Sequence, residues 1–536
     1  MNEVNENNLR RISMFLCFCF FLQLTSGATS KTSPPDYDPP EIILLNCGEC
    51  SQAKDNDGRS WTGDVGSKFT PSQNTITFKA NSQNSVPQVP YMTARIFHNQ
   101  YTYIFPISPG WKFIRLYFYP ANYSSFDASN AIFSVSTGHY TLLRNFSSYI
   151  NAKALNFDYL TREFSVNTVD EFLNLTFTPS PNISNAYAFV NGIEIVSMPY
   201  IFSQPARLVL DEGLAPQLFR VLDDTALETV IRLNVGGRDI SPVEDSGLFR
   251  AWFDDSPYIY GAGYGVTSGW DLKKTFEYTA HVPPYTAPQE VYSTTRSMGP
   301  DPNINRNYNL TWIFPVDAGF RYLVRLHFCE IKSIIYKVNQ RVFKIFIRNQ
   351  TAETEADVIA WGGTNTNGVP VYKDYVVMIG QDTSQELWVE LHPNIGSGTQ
   401  YFDSILNGIE IFKLNDPDLN LGGPNLVLPL DPPVKPKLVN KSSQSRNSVN
   451  WTPVIVGVVG VVVAIIGIIF LALDVSRWQQ KDSCSSNGLS SWLPIHSASR
   501  RRDWDVLTDS NEDSDRQVLS DHETRKLMRS TVADSP

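Results

Sequence analysis

The stretch Trp312-Ile-Phe-Pro…Gly319-Phe-Arg-Tyr-Leu-Val-Arg-Leu-His-Phe328 decides the fold, because the chain contains it twice. The earlier copy is Tyr103-Ile-Phe-Pro…Gly110-Trp-Lys-Phe-Ile-Arg-Leu-Tyr-Phe118. Two further pairs match in the same order: Phe189-Val-Asn-Gly-Ile-Glu-Ile195 with Ile405-Leu-Asn-Gly-Ile-Glu-Ile411, and more loosely Leu44-Leu-Asn-Cys-Gly48 with Arg232-Leu-Asn-Val-Gly236. A repeat this long indicates two copies of one domain and not a solenoid.

Each copy shows the period-two pattern of a β-strand. In the second copy Tyr322, Val324, Leu326 and Phe328 alternate with Arg321, Leu323, Arg325 and His327, which predicts one inward and one outward face. The first copy does the same with Ile114, Leu116 and Phe118. The Asn-Gly pairs at 191–192 and 407–408 predict hairpin turns before the last strand of each copy. The sequence therefore predicts a mainly β protein with jelly-roll-like β-sandwiches at 41–200 and 229–414.

The C-terminal part of the chain predicts a membrane anchor. Residues 454–473 contain no charged, amide or hydroxyl side chain. Twenty helical residues span roughly 30 Å, the thickness of the hydrocarbon core of a bilayer. The Pro-rich segment 415–453 predicts an extended stalk that does not pack, and the Ser- and Asp-rich segment 474–536 predicts a disordered cytoplasmic tail.

The N-terminus predicts the orientation. Arg10 and Arg11 precede a short apolar run and then small residues, so 1–28 is interpreted as a secretory signal peptide. The chain is then a single-pass plasma-membrane protein with its N-terminus outside. N-glycosylation sequons agree with this, because all of them precede the span: Asn122, Asn145, Asn174, Asn182, Asn309, Asn349, Asn440 and Asn450.

Charge and cysteine content narrow the class of protein. The net charge is −10, and 474–536 hold 11 acidic and 9 basic side chains while 1–28 are neutral, so 29–473 carry −8. This argues against a nucleic-acid partner and permits a basic one. Only Cys47, Cys50 and Cys329 remain outside. The first two could close a small loop and leave Cys329 as a buried thiol, whereas a zinc site would need a second ligand pair.

Several segments resemble the tandem malectin-like ectodomain of plant receptor-like kinases of the FERONIA type. The matching segments are Phe249–Asp255, Gly261–Gly263, Val291–Pro300, Asn307–Phe314, Tyr322–Glu330, Asn339–Phe343, Glu355–Trp361 and Leu406–Phe412. The resemblance implies two malectin-like domains on a single span. It also implies binding of secreted, basic rapid alkalinization factor peptides, often with a glycosylphosphatidylinositol-anchored co-receptor.

The resemblance stops at the kinase. The 63 residues after the span contain no Gly-rich loop, Val-Ala-Ile-Lys, His-Arg-Asp or Asp-Phe-Gly motif, which are the groups that hold ATP, metal and substrate in a kinase. We therefore expect a chain that is no enzyme and uses no cofactor, acting by binding its ligand or joining kinase-bearing relatives. A splice form, a truncated gene and an annotation error remain open as causes.

Other motifs are weaker signals of chemistry. Gly261-Ala-Gly-Tyr-Gly265 follows no βα unit, so a tight loop is favoured over a nucleotide site. Asp254 and Asp255 are adjacent, so they point to opposite faces of a strand and cannot converge as a glycosidase pair requires. Turn-capping or solvated acids are expected instead. The extracellular histidines have no metal-ligand spacing and are expected at the surface or in the core: His98, His139, His281, His327 and His392.

One aromatic cluster is a candidate ligand site. It comprises Trp252, Asp254, Tyr258, Tyr260 and Tyr264. Aromatic faces beside polar groups suit sugar rings. The animal malectin domain binds a glucose disaccharide in this way, although loop packing explains the same residues. Two functions stay open: a receptor for secreted peptides, and an adhesion module that binds pectin or another wall glycan without signalling.

Overall fold

The computed structural model describes residues 37–427, apart from 71–74, 81–82, 84, 211–214, 216, 262, 271–274, 364–365 and 382–384. Several predicted features lie outside the described residues: the signal peptide predicted at 1–28, the span predicted at 454–473, the tail predicted at 474–536, most of the predicted stalk, and the sequons Asn440 and Asn450. Among the described residues, no helix is both long enough and apolar enough to cross a membrane.

The first half of the described chain, up to residue 197, is built almost entirely of strands. Its strands are β1 Ile42–Asn46, β2 Ala53–Lys54, β3 Ser60–Gly63, β4 Ile76–Lys79, β5 Thr93–Phe97, β6 Tyr101–Pro106, β7 Gly110–Phe118, β8 Phe133–Thr137, β9 Tyr140–Phe146, β10 Leu160–Thr168, β11 Phe172–Pro179, β12 Ala188–Val190 and β13 Gly192–Ser197. Helix α1, Ser148–Leu155, is capped at its N-terminus by Ser147, whose hydroxyl accepts from the Ile150 amide at 3.3 Å.

The second half repeats this arrangement after a linker. The linker strands are β14 Ala206–Leu208 and β15 Gln217–Phe219. The following strands are β16 Leu227–Asn234, β17 Phe253–Asp254, β18 Val266–Gly269, β19 Thr294–Ser297, β20 Leu310–Pro315, β21 Arg321–Phe328, β22 Phe343–Ile347, β23 Gln350–Ala356, β24 Val371–Met378, β25 Glu386–Pro393, β26 Ile405–Leu406 and β27 Gly408–Leu414. The short helices are α2 Gln289–Ser293, α3 Pro302–Asn305 and α4 Val358–Gly362, with single 3-10 turns at Ala128–Asn130, Pro242–Glu244, Ser256–Tyr258, Pro284–Thr286 and Ile395–Ser397.

One large sheet runs through both halves. Its order is β15-β14-β24-β21-β27-β16-β10-β7-β13-β1-β3-β2, and β17 also pairs with β16. The halves meet where β10 pairs antiparallel with β16, with Phe164 opposite Glu228. Each half faces this sheet with a smaller one, β6-β11-β8-β9 in the first and β20-β25-β22-β23 in the second. The prediction of a mainly β protein is confirmed.

The predicted outward face of β21 is wrong. Leu323, Arg325 and His327 are at most 1 % exposed, so both faces of the strand are buried. The linker covers the second face: the Arg325 guanidinium lies 5.5 Å from the Phe202 ring centre and donates to the Ile201 carbonyl at 2.8 Å. The alternation of apolar and polar residues indicates a strand, but it does not indicate whether another segment covers the polar face of that strand.

The Asn-Gly pairs do not form hairpins. Asn407 lies between β26 and β27, which belong to different sheets, so the chain changes sheets there. The Asn407 side chain is fully buried, accepts from the Cys329 amide at 2.7 Å and donates to the Thr294 carbonyl at 2.7 Å. Gly408 is required because a Cβ atom there would lie 2.6 Å from Val291 Cγ1. In the first half, the Asn191 side chain likewise accepts from a backbone amide and donates to a backbone carbonyl where the chain changes sheets between β12 and β13.

A buried chain of ion pairs connects the two halves. Glu163 on β10 accepts from Arg115 at 2.6 Å in its own half and from Arg232 on β16 at 2.9 Å. Arg232 also pairs with Glu410 at 2.8 Å, and Glu410 lies 3.0 Å from the His327 ring. Burial alone would raise the pKa of Glu163, but the guanidiniums of Arg232 and Arg115 lower it to about 2. Burial also lowers the pKa of His327.

The low pKa of Glu163 predicts an acid-dependent stability. The pKa of Glu163 is about 2 in the folded state, against 4.5 for a glutamate in the unfolded chain. The ionised carboxylate therefore adds its full share to the free energy of unfolding above about pH 4.5, and this share is lost as the pH falls towards 2. We expect this carboxylate to account for on the order of 3 kcal/mol of that loss. Glu163→Gln should be less stable at pH 7 and lose less stability between pH 7 and 3, as measured by urea unfolding. An unchanged acid response in Glu163→Gln would contradict this assignment.

The first residues of the predicted stalk pack against the first half, so the prediction of a stalk that does not pack is wrong for them. Residues 415–427, called the C-terminal clasp from here on, return to the first half although they follow the last strand of the second. The Leu421 side chain is fully buried in the core of the first half. The Leu421 amide donates to the Thr141 carbonyl at 2.8 Å. Asn425 accepts from the Ser147 amide at 2.8 Å. The clasp carries only two prolines, and strand β9 supplies partners for its backbone.

The cysteines within the described residues are all free thiols. Cys47 and Cys329 are buried, and Cys50 is exposed. The loop-closing Cys47–Cys50 disulfide considered from the sequence is therefore absent from the described part of the chain, while the buried thiol at Cys329 is confirmed. Burial raises the pKa of both buried thiols well above the usual range, which makes them poor nucleophiles.

Candidate functional site

The structure separates the residues of the predicted aromatic cluster. Trp252 is fully buried, with its ring centre 5.6 Å from that of His327 and 5.5 Å from each of the guanidiniums of Arg232 and Arg250. Asp254 accepts from the Ser256 amide at 3.0 Å and hydroxyl at 2.7 Å, so it caps a turn. Tyr258 is partly buried, with its ring 5.3 Å from that of Phe314. Neither Trp252 nor Tyr258 therefore presents an open aromatic face, and Asp254 is engaged in its turn.

Asp255 is a structural carboxylate and not a solvated one. It is fully buried and receives two hydrogen bonds from Arg296, both 2.7 Å long. It also accepts from the Trp312 indole at 2.9 Å and the Gly236 amide at 2.9 Å. In the first half, Asp64 bonds its own arginine, glycine and tyrosine in the same pattern. The duplication, which the sequence showed, therefore extends to this buried site.

Tyr260 and Tyr264 remain accessible, with 57 % and 39 % of their surfaces exposed. The Tyr260 ring lies 5.0 Å from that of Trp388, and the two planes are tilted by 50°. The carbonyl of Tyr264 accepts from Arg296 at 2.8 Å. Of the predicted cluster, Tyr260 is thus the side chain that forms an exposed aromatic surface, and its partner Trp388 was not predicted.

A groove in the first half was missed by the sequence analysis. It encloses about 450 Å³ and is lined by Gln83, Tyr119, Pro120, Ala121, Asn122, Ala128, Tyr149, Ala152, Lys153, Phe157 and Asp158. The Lys153 ammonium lies 5.6 Å from the Tyr149 ring centre, and Phe157 is partly exposed. Burial and the nearby Asp158 raise the pKa of Tyr119. Aromatic faces beside one cation and amide groups suit an anionic sugar.

A second surface lies on the loop between β21 and β22. It contains a shallow cavity of about 550 Å³, which is lined by Ile334, Tyr336, Lys337, Val338, Asn339, Gln340, Gly398, Gln400 and Tyr401. Ile334, Tyr336 and Val338 are 55 %, 44 % and 42 % exposed, while Ile335 between them is buried and anchors the loop. The Gln340 side chain accepts from the amides of Tyr336 and Lys337, both at 2.8 Å. The loop therefore holds three apolar side chains outward in a fixed order, a signal visible in the sequence as Ile-x-Tyr-x-Val.

The predicted glycosylation sites and histidines can also be placed in the structure. The side chains of the six sequon asparagines in the described range are all exposed, which permits glycosylation: Asn122, Asn145, Asn174, Asn182, Asn309 and Asn349. No group of three His, Cys, Asp or Glu residues that could hold a metal ion occurs among the described residues. His327 is buried between Glu410 and Tyr292.

Comparisons with known proteins agree with this fold. The family described as "Malectin-like domain" matches residues 45–414. The receptor-like protein kinase FERONIA of Arabidopsis thaliana is 48 % identical over 493 residues, which cover 90 % of this chain and 54 % of that protein. This chain therefore spans about half the length of the curated relatives it matches.

Solved structures are similar as well. The crystal structure of plant receptor-like kinase FER is 52 % identical, with a TM-score of 0.68 over 73 % of this chain and 100 % of that one. The crystal structure of plant peptide RALF23 in complex with FER and LLG2 is 53 % identical, with a TM-score of 0.66 over the same shares. The predicted resemblance to the FERONIA-type ectodomain is confirmed.

Proposed function

We infer a function from one premise: the chain belongs to the malectin-like family. We propose that it is a cell-surface receptor-like protein whose extracellular part binds a secreted peptide of the rapid alkalinization factor type. The observation that carries this proposal is the 53 % identity to FER, which has been solved in complex with the peptide RALF23 and with LLG2. The proposed role is binding, and no chemical step is assigned to any residue.

The peptide-binding surface that we propose is the loop with Ile334, Tyr336 and Val338. These side chains are exposed and apolar, and the hydrogen bonds of Gln340 hold their backbone in place. A preorganised loop loses little conformational entropy on binding, and exposed tyrosines often carry much of the energy of an interface. The charge of −8 over residues 29–473 would speed the approach of a basic peptide without fixing its contacts.

We expect Tyr336→Ala to weaken peptide binding by at least about tenfold, the factor that corresponds to losing about 1.4 kcal/mol. The measurement is calorimetric titration of the purified full chain with a panel of synthetic rapid alkalinization factor peptides. Tyr260→Ala is the matched control, because it removes a similarly exposed tyrosine from the same half. If both variants bind the peptide like the wild type, the assignment of the binding surface to this loop is wrong. If the wild type binds no peptide, the receptor proposal is wrong.

The second candidate function is binding of a wall glycan such as pectin without signalling. It is favoured by the groove with Tyr119, Tyr149 and Phe157, in which Lys153 could meet a uronate carboxylate. If this is the principal role, the chain retains de-esterified pectin in a salt-sensitive way and ignores the peptides. Lys153→Glu should then abolish retention, whereas Lys337→Glu on the other surface should not.

The wider assembly follows from the same premise. We propose a single-pass plasma-membrane topology in which each half is a jelly-roll-like sandwich outside the cell. We also propose that a glycosylphosphatidylinositol-anchored co-receptor and kinase-bearing relatives join the complex. Co-purification of tagged full chain with such partners from plant membranes, enhanced by added peptide, is the test. Failure of the peptide to change recovery would contradict this assembly.

A further inference from the structure

The Tyr260–Trp388 pair is an exposed aromatic surface that the proposed function does not use. Tyr260 is 57 % exposed, and its ring lies 5.0 Å from that of Trp388 on β25. The Trp388 indole N–H donates to Glu386 at 3.0 Å, which fixes the orientation of the ring. The Tyr260 amide donates to the Thr311 carbonyl at 2.9 Å, which fixes the other member of the pair beside β20. Both rings are thus held in place on the outer side of the smaller sheet.

A glycosylation sequon begins two residues before this point. Asn309, Leu310 and Thr311 form the triplet, and the Asn309 side chain is exposed. Its amide nitrogen lies 3.4 Å from the Glu390 carboxylate. In the register of β20 with β25, Thr311 is opposite Glu390 and Ile313 is opposite Trp388. Because side chains alternate along a strand, Asn309, Glu390 and Trp388 lie on the same face of the sheet.

The spacing fits a sugar chain that lies along this face. Two residues of a strand cover about 7 Å, so the first sugars on Asn309 reach the level of Thr311, where Tyr260 is held. Pyranose rings stack their C–H faces on aromatic rings. A covalently attached glycan also has a high effective concentration at such a site, so it outcompetes a free ligand of equal affinity.

We propose that the Tyr260–Trp388 pair is the docking site for the first sugars of an N-linked glycan on Asn309. The glycan then covers the exposed tyrosine and restricts this face of the second half. The inference concerns this chain alone and does not depend on which peptide or polysaccharide the proposed receptor binds.

The test uses the full chain made in plant cells. Glycopeptide mass spectrometry gives the occupancy of Asn309, and release by peptide-N-glycosidase under native conditions gives the accessibility of its glycan. We expect release from Asn309 to be about fivefold faster in Tyr260→Ala than in the wild type, which is the factor for a ring contact of about 1 kcal/mol. Release from Asn349, an exposed sequon in the turn between β22 and β23, should be unchanged and serves as the reference within each molecule.

Two further variants separate ring contact from a change in fold. Tyr260→Phe keeps the ring and should keep the slow release, whereas Tyr264→Ala removes a neighbouring tyrosine and should have no effect. Asn309→Gln should lower the melting temperature by about 2 °C in the wild type and leave it unchanged in Tyr260→Ala. An unoccupied Asn309, or equal release from Asn309 in the wild type and Tyr260→Ala, overturns the proposal.

Discussion

Replacing Arg232 with methionine is expected to lower the free energy of unfolding by about 3–5 kcal/mol. The Arg232 side chain is 4 % exposed and lies between Glu163 of the first half and Glu410 of the second. Without its guanidinium, two buried carboxylates lose a shared partner and repel each other. Methionine keeps much of the volume against Trp252, so the loss reports the missing charge more than a cavity.

Urea unfolding of the purified chain at pH 7 measures the effect. Arg238→Met is the matched control, because Arg238 pairs with Glu244 at 2.7 Å while its side chain is 63 % exposed. An exposed pair contributes about 0–1 kcal/mol, so this variant should unfold nearly like the wild type. A second readout is pH, since acid that protonates Glu163 and Glu410 should narrow the difference in unfolding free energy between Arg232→Met and the wild type. If Arg232→Met proved as stable as Arg238→Met, the buried ion pairs would not stabilise the contact between the two halves.

The parts of the fold that could be predicted are those encoded locally or by repetition. The alternation at Tyr322–Phe328 predicted strand β21, and the two Ile-Glu-Ile segments predicted the last strand of each half. The repeat itself predicted two equivalent halves. These signals need no knowledge of distant contacts, because the period of a strand and the order of matching segments are properties of the chain alone.

The parts that could not be predicted depend on partners far away in sequence. Arg325 is buried because Asp374, 49 residues later, accepts two hydrogen bonds from it, both 2.8 Å long. Asp255 is buried because Arg296 and Trp312 meet it. The exposed pair was half predicted, since Tyr260 stood in the aromatic cluster while Trp388 reached it only through the pairing of β20 with β25. No local pattern specifies which strand lies beside which.

Replacing Leu421 with alanine is expected to release the C-terminal clasp while both halves stay folded. The deleted side chain is fully buried in the first-half core, and such truncations cost about 2–5 kcal/mol. Besides this side chain, the clasp has a short bridge to β9, where the Thr141 amide donates to the Leu419 carbonyl at 3.0 Å and the Thr141 carbonyl accepts from the Leu421 amide at 2.8 Å. The Asn425 side chain adds a hydrogen bond from the Ser147 amide at 2.8 Å. Opening this segment therefore costs less than unfolding a half, and the penalty appears as local opening.

Hydrogen exchange followed by mass spectrometry should show this directly. A loss of about 2 kcal/mol raises the exchange rate of the Leu421 and Thr141 amides about 30-fold. Amides of β21 in the second half should not change. Val427→Ala is the control, because it truncates a side chain of the same segment that is 88 % exposed and should leave exchange as in the wild type. If Leu421→Ala instead accelerates exchange throughout the first half, the clasp is an integral part of that core and cannot detach from it on its own.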